Sequence, residues 1–238
     1  MEKSDLERKE KELESLIKKL ADKAKGRYPI FDGINNIDQY LAAQYKIVFV
    51  LKEPYDGSNG TGGGFAIKKI LDFDGYGKGS KTFAPMIYIA TSILNGFLSF
   101  DQIESTVQEN FKMKTNDLYK VAHINIGKLP SKKETRTSFT DIKDAYTKDR
   151  QNDQIILKQI DAYEPDFIIG CGIQNLLNSD LELYKEESLH GLRSKKYPNL
   201  LYIGTYHPSQ TTIKRPVYCN HVIDLARAWA TKRNNNLL

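Results

Sequence analysis

Four short apolar runs rich in β-branched and aromatic residues alternate with long helical stretches, and this rhythm restricts the chain more than any other feature. The runs are Ile47 to Leu51, Leu118 to Ile124, Asp166 to Gly170 and Leu200 to Gly204. The helical stretches cover about Ala84 to Leu98, Phe100 to Asn110, Asp149 to Tyr163 and Pro216 to Thr231, the last with proline in its first turn. Strands separated by helices need right-handed crossovers, and such crossovers build a mostly parallel sheet. The expected class is therefore α/β.

Ahead of this pattern lies a different one. Residues 5 to 25 place Leu6, Leu13, Ile17, Leu20 and Ala24 on one helical stripe, with Glu and Lys elsewhere, and the stripe ends near Gly26. Three leucines seven apart are too few for a coiled coil, so the helix is expected to pack on the main domain. Residues 1–26 are read as an appended amphipathic helix and residues 27–238 as the α/β domain.

A chain of 238 residues with 40% hydrophobic and 27% charged residues fills one such core without staples. Cys171 and Cys219 are too few for a disulfide scaffold, a four-thiolate zinc site or a cysteine-ligated cluster. No apolar run approaches about 18 residues and the N-terminus lacks a signal-like stretch, so a cytoplasmic protein with no membrane partner is expected. The net charge of +5 is unevenly spread. Seven basic residues face two acidic ones between Lys112 and Arg136, and five face one beyond His207. Such an excess suits phosphates, although a solvated basic surface explains it as well.

In an open parallel sheet, ligands bind beyond the carboxyl ends of the strands, where the loops converge. That rim can be read from the chain. After the first run come Lys52-Glu53-Pro54-Tyr55-Asp56-Gly57 and a glycine-rich stretch ending at Phe65. After the second come Asn125-Ile126-Gly127-Lys128-Leu129-Pro130, after the third Cys171-Gly172-Ile173-Gln174-Asn175, and after the fourth Thr205-Tyr206-His207-Pro208-Ser209-Gln210. A carboxylate, a carboxamide and an imidazole thus reach one edge.

Several chemistries do not fit this rim. Gly60-Thr61-Gly62-Gly63-Gly64 matches neither dinucleotide nor P-loop spacing, and Gly75 to Thr82 only approaches the latter. No nucleophile elbow and no zinc deaminase pattern is present. The histidines at 123, 190, 207 and 221 have no metal-ligand spacing, so neither metal nor cofactor is expected. His123 reads as a hydrogen-bonded core or edge residue, and His190 and His221 as surface or helix positions.

Taken in order, the stretch from Lys52 to Gly57, Asn125, and His207-Pro208-Ser209 resemble the uracil-DNA glycosylase superfamily, over roughly residues 45 to 231. The resemblance implies a three-layer αβα fold with a central, mostly parallel four-stranded sheet. It also implies an enzyme that hydrolyses the N-glycosidic bond of uracil, or a related damaged or mismatched base, in base-excision repair. Glu53 falls where the family positions or activates the attacking water, and Tyr55 where a ring excludes the thymine methyl. Phe65 resembles the aromatic on which the flipped base stacks. Asn125 would read the uracil amide edge, His207 would face O2, and Ser209 completes the substrate pocket. Lys128, Ser131, Lys214 and Arg215 are the expected contacts to the DNA backbone. The implied partner is DNA containing uracil or a damaged base, bound by a monomer.

Those residue types suit the reaction. Breaking the bond between base and deoxyribose creates a cationic sugar and an anionic base, which call for a carboxylate on one side and hydrogen-bond donors on the other. Flipping a base from a duplex costs a few kcal/mol, of which stacking on Phe65 would return about 1–3 kcal/mol. Two departures bear on activity. Glu53 stands where the uracil-specific members carry Asp, and a displacement of about 1 Å costs about 100-fold in rate. The family's leucine wedge corresponds here to Gln210-Thr211-Thr212. A non-catalytic nucleic-acid-binding protein that keeps the fold is the second reading, and a base-modifying or nucleoside-processing enzyme acting on free small molecules the third.

Overall fold

The computed structural model describes residues 1–23, 28–52, 66, 81–109, 116–130, 138–173, 175–186 and 191–235. Among these residues the sheet has seven strands: β1 (Gly33–Ile34), β2 (Ile47–Leu51), β3 (Ala122–Asn125), β4 (Phe167–Cys171), β5 (Leu183–Lys185), β6 (Leu192–Ser194) and β7 (Leu201–Thr205). Their order across the sheet is β1-β3-β2-β4-β7-β6-β5. The pairs β2–β3, β2–β4 and β4–β7 are parallel. β1 joins β3, β6 joins β7 and β5 joins β6 antiparallel. The α/β class stands, whereas the expected four-stranded sheet is a mixed one of seven. The added strands are two or three residues long, too short to leave a periodic signature in the chain.

Among the described residues seven α-helices accompany the sheet: α1 (Lys3–Lys23), α2 (Ile37–Ala42), α3 (Phe83–Leu94), α4 (Phe100–Glu109), α5 (Phe139–Gln151), α6 (Ile155–Tyr163) and α7 (Arg215–Asn234). Strand residues alternate between two hydrophobic clusters, as the period of two requires. Phe49, Phe167, Ile169, Leu201 and Ile203 join α3, α4 and α7 in one cluster, centred on the fully buried Trp229. Val48, Val50, Ile168 and Tyr202 join α1, α5 and α6 in the other, where Leu6, Leu13 and Ile17 are buried. With both faces covered, β2 and β4 are buried at every position, which is why they read as unbroken apolar runs.

Three boundaries differ from expectation, each for a local reason. The run that starts at Leu118 opens as a 3-10 turn, Asn116–Lys120, where Asp117 accepts from Thr91 Oγ1 (2.9 Å) and Lys120 Nζ (2.8 Å), and only then enters β3. Helix α3 stops at Leu94 because Gly96 and Phe97 take positive φ and the Phe97 N–H returns to the Ser92 carbonyl at 2.7 Å. The helix expected from Asp149 to Tyr163 is two. Gln154 adopts a left-handed φ of 51°, and the Asp149 carboxylate accepts from the N–H groups of Ile155 (2.9 Å) and Ile156 (3.1 Å), capping α6 from the last turn of α5. Among the described residues, no helix is long and apolar enough to cross a membrane.

Candidate functional site

The carboxyl ends of β3, β2, β4 and β7 form one continuous edge. Backbone hydrogen bonds extend it past the strands: Ile126 and Gly127 donate to the carbonyls of Leu51 and Lys52 (2.9 and 2.7 Å), and Gly172 donates to Thr205 (2.7 Å). Lys52, Asn125, Gly172 and His207 therefore share a rim. Three strand spacings of about 4.8 Å separate β3 from β7, or about 14 Å.

Asn125 ends β3 and is 3% exposed. Its backbone N–H donates to Asp32 Oδ2 at 2.6 Å, whereas its side-chain Nδ2 is buried and has no hydrogen-bond partner among the described residues. A buried donor without an acceptor costs about 1–3 kcal/mol, and such an atom in a native fold calls for an explanation. Two residues earlier on the same face of β3, His123 is fully buried and stacked on Phe49, with ring centroids 6.0 Å apart. Asn35 Nδ2 lies 2.7 Å from its Nδ1 and 2.6 Å from the Leu118 carbonyl, so the amide nitrogen donates and the imidazole proton sits on Nε2. That Nε2 has no partner among the described residues either, and burial pushes the His123 pKa down to about 3.

Lys128, expected at the DNA backbone, lies in the interior. Its side chain is 3% exposed, and its ammonium contacts both oxygens of the fully buried Asp32 carboxylate at 2.8 Å and donates to Gln159 Oε1 at 2.7 Å. Gln159 Nε2 donates to the same carboxylate at 2.9 Å. The expectation is corrected: a buried ammonium on a carboxylate is withdrawn from any phosphate, and its task is to anchor the loop after β3.

At the other end of the rim, the Ser209 backbone N–H donates to His207 Nδ1 at 3.3 Å, and Ser209 Oγ lies 2.7 Å from the same atom. Nδ1 is thus the acceptor and Nε2–H the free donor. Burial, and then the positive charge of Lys52, push the His207 pKa down to about 4, so the ring is neutral at physiological pH. Gly172, at φ +71°, permits the loop to come this close. A Cβ there would stand 3.2 Å from Lys52 Cε and 3.3 Å from both Cβ and N of His207. The following turn closes on itself, with Ile213 N–H donating to Gln210 Oε1 (2.7 Å) and Gln210 Nε2 to the Ile213 carbonyl (2.9 Å).

Lys214 and Arg215 are exposed at the start of α7. Glu53, Tyr55, Phe65 and Ser131 lie outside the described residues, as do the glycine-rich stretch up to Phe65 and His190. His221 is exposed on α7.

The rim also holds residues that the chain alone did not single out. Asp32 and Gln159 position Asn125 from far away in sequence and carry no local signal. Lys52 acts on His207 through space. Tyr206 is 60% exposed beside the imidazole, its carbonyl held by Tyr218 Oη at 2.9 Å. An aromatic just before His-Pro was the available hint. Among the described residues, no three His, Cys, Asp or Glu side chains converge as metal ligands.

Chemically, the rim offers an uncommitted carboxamide donor and a neutral imidazole N–H at two ends of one edge. Such donors recognise carbonyl oxygens and stabilise negative charge that develops on them. Comparison with known protein families and with curated proteins finds no match to this chain.

Proposed function

We infer that this chain is a monofunctional DNA glycosylase of the uracil-DNA glycosylase type, hydrolysing the N-glycosidic bond of uracil or a related damaged base in DNA. One observation carries the reading: Asn125 Nδ2 is buried without a partner on the same sheet edge at which His207 is held as a neutral Nε2–H donor. The order of the parallel strands β3-β2-β4-β7 supports it, since it sets the loops after β3 and β7 on either side of that after β2.

The roles follow from chemistry. A carboxamide presents a carbonyl and an NH2 together and matches the N3–H and O4 edge of uracil. The span of about 14 Å between β3 and β7 accommodates two inward-reaching side chains, a hydrogen bond to each and one planar ring. As the glycosidic bond breaks, the base leaves as an anion and His207 Nε2–H donates to its O2. Because burial and Lys52 keep the ring neutral, His207 stabilises the anion by a hydrogen bond and carries no extra proton to transfer. Glu53 directly follows Lys52 in the chain and is assigned to the attacking water and the cationic sugar. Tyr55 filters against thymine and Phe65 stacks on the base. Ser209 fixes the His207 tautomer. Lys214 and Arg215 meet DNA phosphates.

The test is a uracil-containing oligonucleotide, single-stranded and paired as U:A and U:G, incubated with protein and then cleaved with alkali at abasic sites. Cleavage by the wild type is expected, reduced about 100–1,000-fold in His207→Ala, the loss typical of removing one such donor, and strongly reduced in Glu53→Gln. Intact oligonucleotides in all three contexts would overturn the assignment.

A further inference from the structure

A groove of about 720 Å³ runs between helix α5 and the segment after β4, away from Asn125 and His207. One wall is a single face of α5, with Phe139, Lys143, Tyr146 and Arg150 spaced four, three and four residues apart. The facing wall carries Asn175 and Ser179. Phe139 is 36% exposed, unusual for a phenyl ring, and begins the groove. Lys143 is exposed, with no ion-pair partner among the described residues.

The Arg150 guanidinium is aimed by a buried acid. Its Nε meets Asp180 Oδ1 at 2.8 Å, and the other oxygen of Asp180, only 7% exposed, accepts from Tyr146 Oη at 2.8 Å. This leaves both terminal amino groups of Arg150 uncommitted among the described residues, on a side chain that is 54% exposed. A guanidinium held through Nε presents those amino groups to solvent with its orientation already fixed, which suits a phosphate. Seven residues of helix separate Lys143 from Arg150, about 10 Å along the axis, so the two cations meet different phosphates of one strand. The exposed ring of Phe139 lies about 6 Å before Lys143 along the same axis. Cations that track a backbone beside an aromatic platform are how single-stranded nucleic acid is held without sequence preference. Asn175 on the facing wall stands three residues beyond Gly172 in the chain, and Gly172 lies against His207.

We propose that the α5 groove binds single-stranded nucleic acid, with Arg150 and Lys143 on consecutive stretches of backbone and Phe139 under a base. In the glycosylase reading, on which this rests for its role, it holds the strand that flanks the flipped nucleotide. The prediction itself concerns binding alone and is read without a substrate base.

The experiment measures fluorescence anisotropy of a short labelled oligothymidylate over a salt series, with the wild type and Arg150→Gln, Lys143→Gln and Phe139→Ala, each checked for an unchanged melting curve. Arg150→Gln and Lys143→Gln are each expected to reduce the slope of log K against log salt by about 0.7, the value for one single-strand phosphate. Phe139→Ala is expected to weaken binding about fivefold or more with the slope unchanged. Wild-type affinity and slope in all three variants, or no binding by the wild type, would overturn the groove; so would equal competition by polyglutamate. A uracil trinucleotide, too short to span the groove, separates the two ideas. Excision from it together with unaffected binding by the variants rejects the groove alone. Variant-sensitive binding with no excision from any substrate keeps the groove and rejects the glycosylase.

Discussion

Asn125 is fixed by groups far away in sequence, whereas His207 is fixed by its own neighbours. The amide of Asn125 rests on Asp32, whose carboxylate is shared with Lys128 and Gln159 in a buried cluster drawn from the chain before β1, the loop after β3 and helix α6. His207 is oriented by Ser209, and the turn beyond it is closed by the side chain of Gln210. The first arrangement couples the rim to the stability of the whole domain. The second lets the imidazole be positioned at little thermodynamic risk. Damage to the Asp32, Lys128 and Gln159 cluster behind Asn125 should therefore appear as unfolding, and damage at the His207 end as lost function in an intact fold.

The largest effect that can break this contrast is Lys128→Met. It strands the Asp32 carboxylate in the interior, and removing one partner of a buried pair costs about 3–5 kcal/mol. Denaturant unfolding should show a loss of that order. Adding Asp32→Leu should return only part of it, because Asn125 N–H and Gln159 Nε2 then lose their acceptor. A loss below about 1 kcal/mol in the single variant would mean that the pair is not structural. Next in size is Gly172→Ala. The positive φ disfavours a Cβ, and the new methyl presses on Lys52 and on the backbone and Cβ of His207. The fold should survive with a cost of about 1–2 kcal/mol. If His207 is displaced by about 1 Å, excision should fall about 100-fold. An unchanged rate at normal stability would separate His207 from the chemistry.

The same contrast explains what the chain disclosed and what it hid. β2 and β4 were legible within a residue because strands buried on both faces must be apolar throughout, and β7 because its first three residues are buried. The His207 loop was legible because its contacts are local, so His-Pro-Ser carries its own geometry. The Lys128 assignment failed because charge in a sequence says nothing of burial, and the buried acid that captures Lys128 lies 96 residues away. Helix α5 was missed from Phe139 onward although Ser138 and Asp141 form a reciprocal cap that the pattern Ser-x-x-Asp announces. The short strands β1, β5 and β6 could not be read, because two or three residues show no alternation.

Asn125→Leu tests the unpaired amide from the stability side. If Nδ2 is left without a partner so that a base can supply one, replacing the carboxamide by an apolar group of similar size should remove the desolvation penalty. Stability should rise by up to about 1 kcal/mol while excision is lost. Loss of stability by about 1 kcal/mol or more, read from thermal melting, would show that the amide is already satisfied.

The remaining effects concern the protonation of His207 and are spread over pH. Its pKa near 4 lies below the ordinary 6.5, so the unfolded chain binds the additional proton between those values and stability falls as pH drops through that window. Between pH 7 and 5, above most carboxylate titrations, His207 should account for about 1–2 kcal/mol of the loss. His123, pushed down to about 3, contributes in the same direction. The unfolding free energy of His207→Gln should therefore vary less between these pH values than that of the wild type. Lys52→Met isolates the lesser cause of the shift. With burial intact and the neighbouring charge gone, the His207 pKa should rise only part of the way toward 6.5 in an NMR titration. A full return to 6.5 would mean that Lys52, not burial, keeps the imidazole neutral, and an unchanged value would mean that the ammonium points away from it.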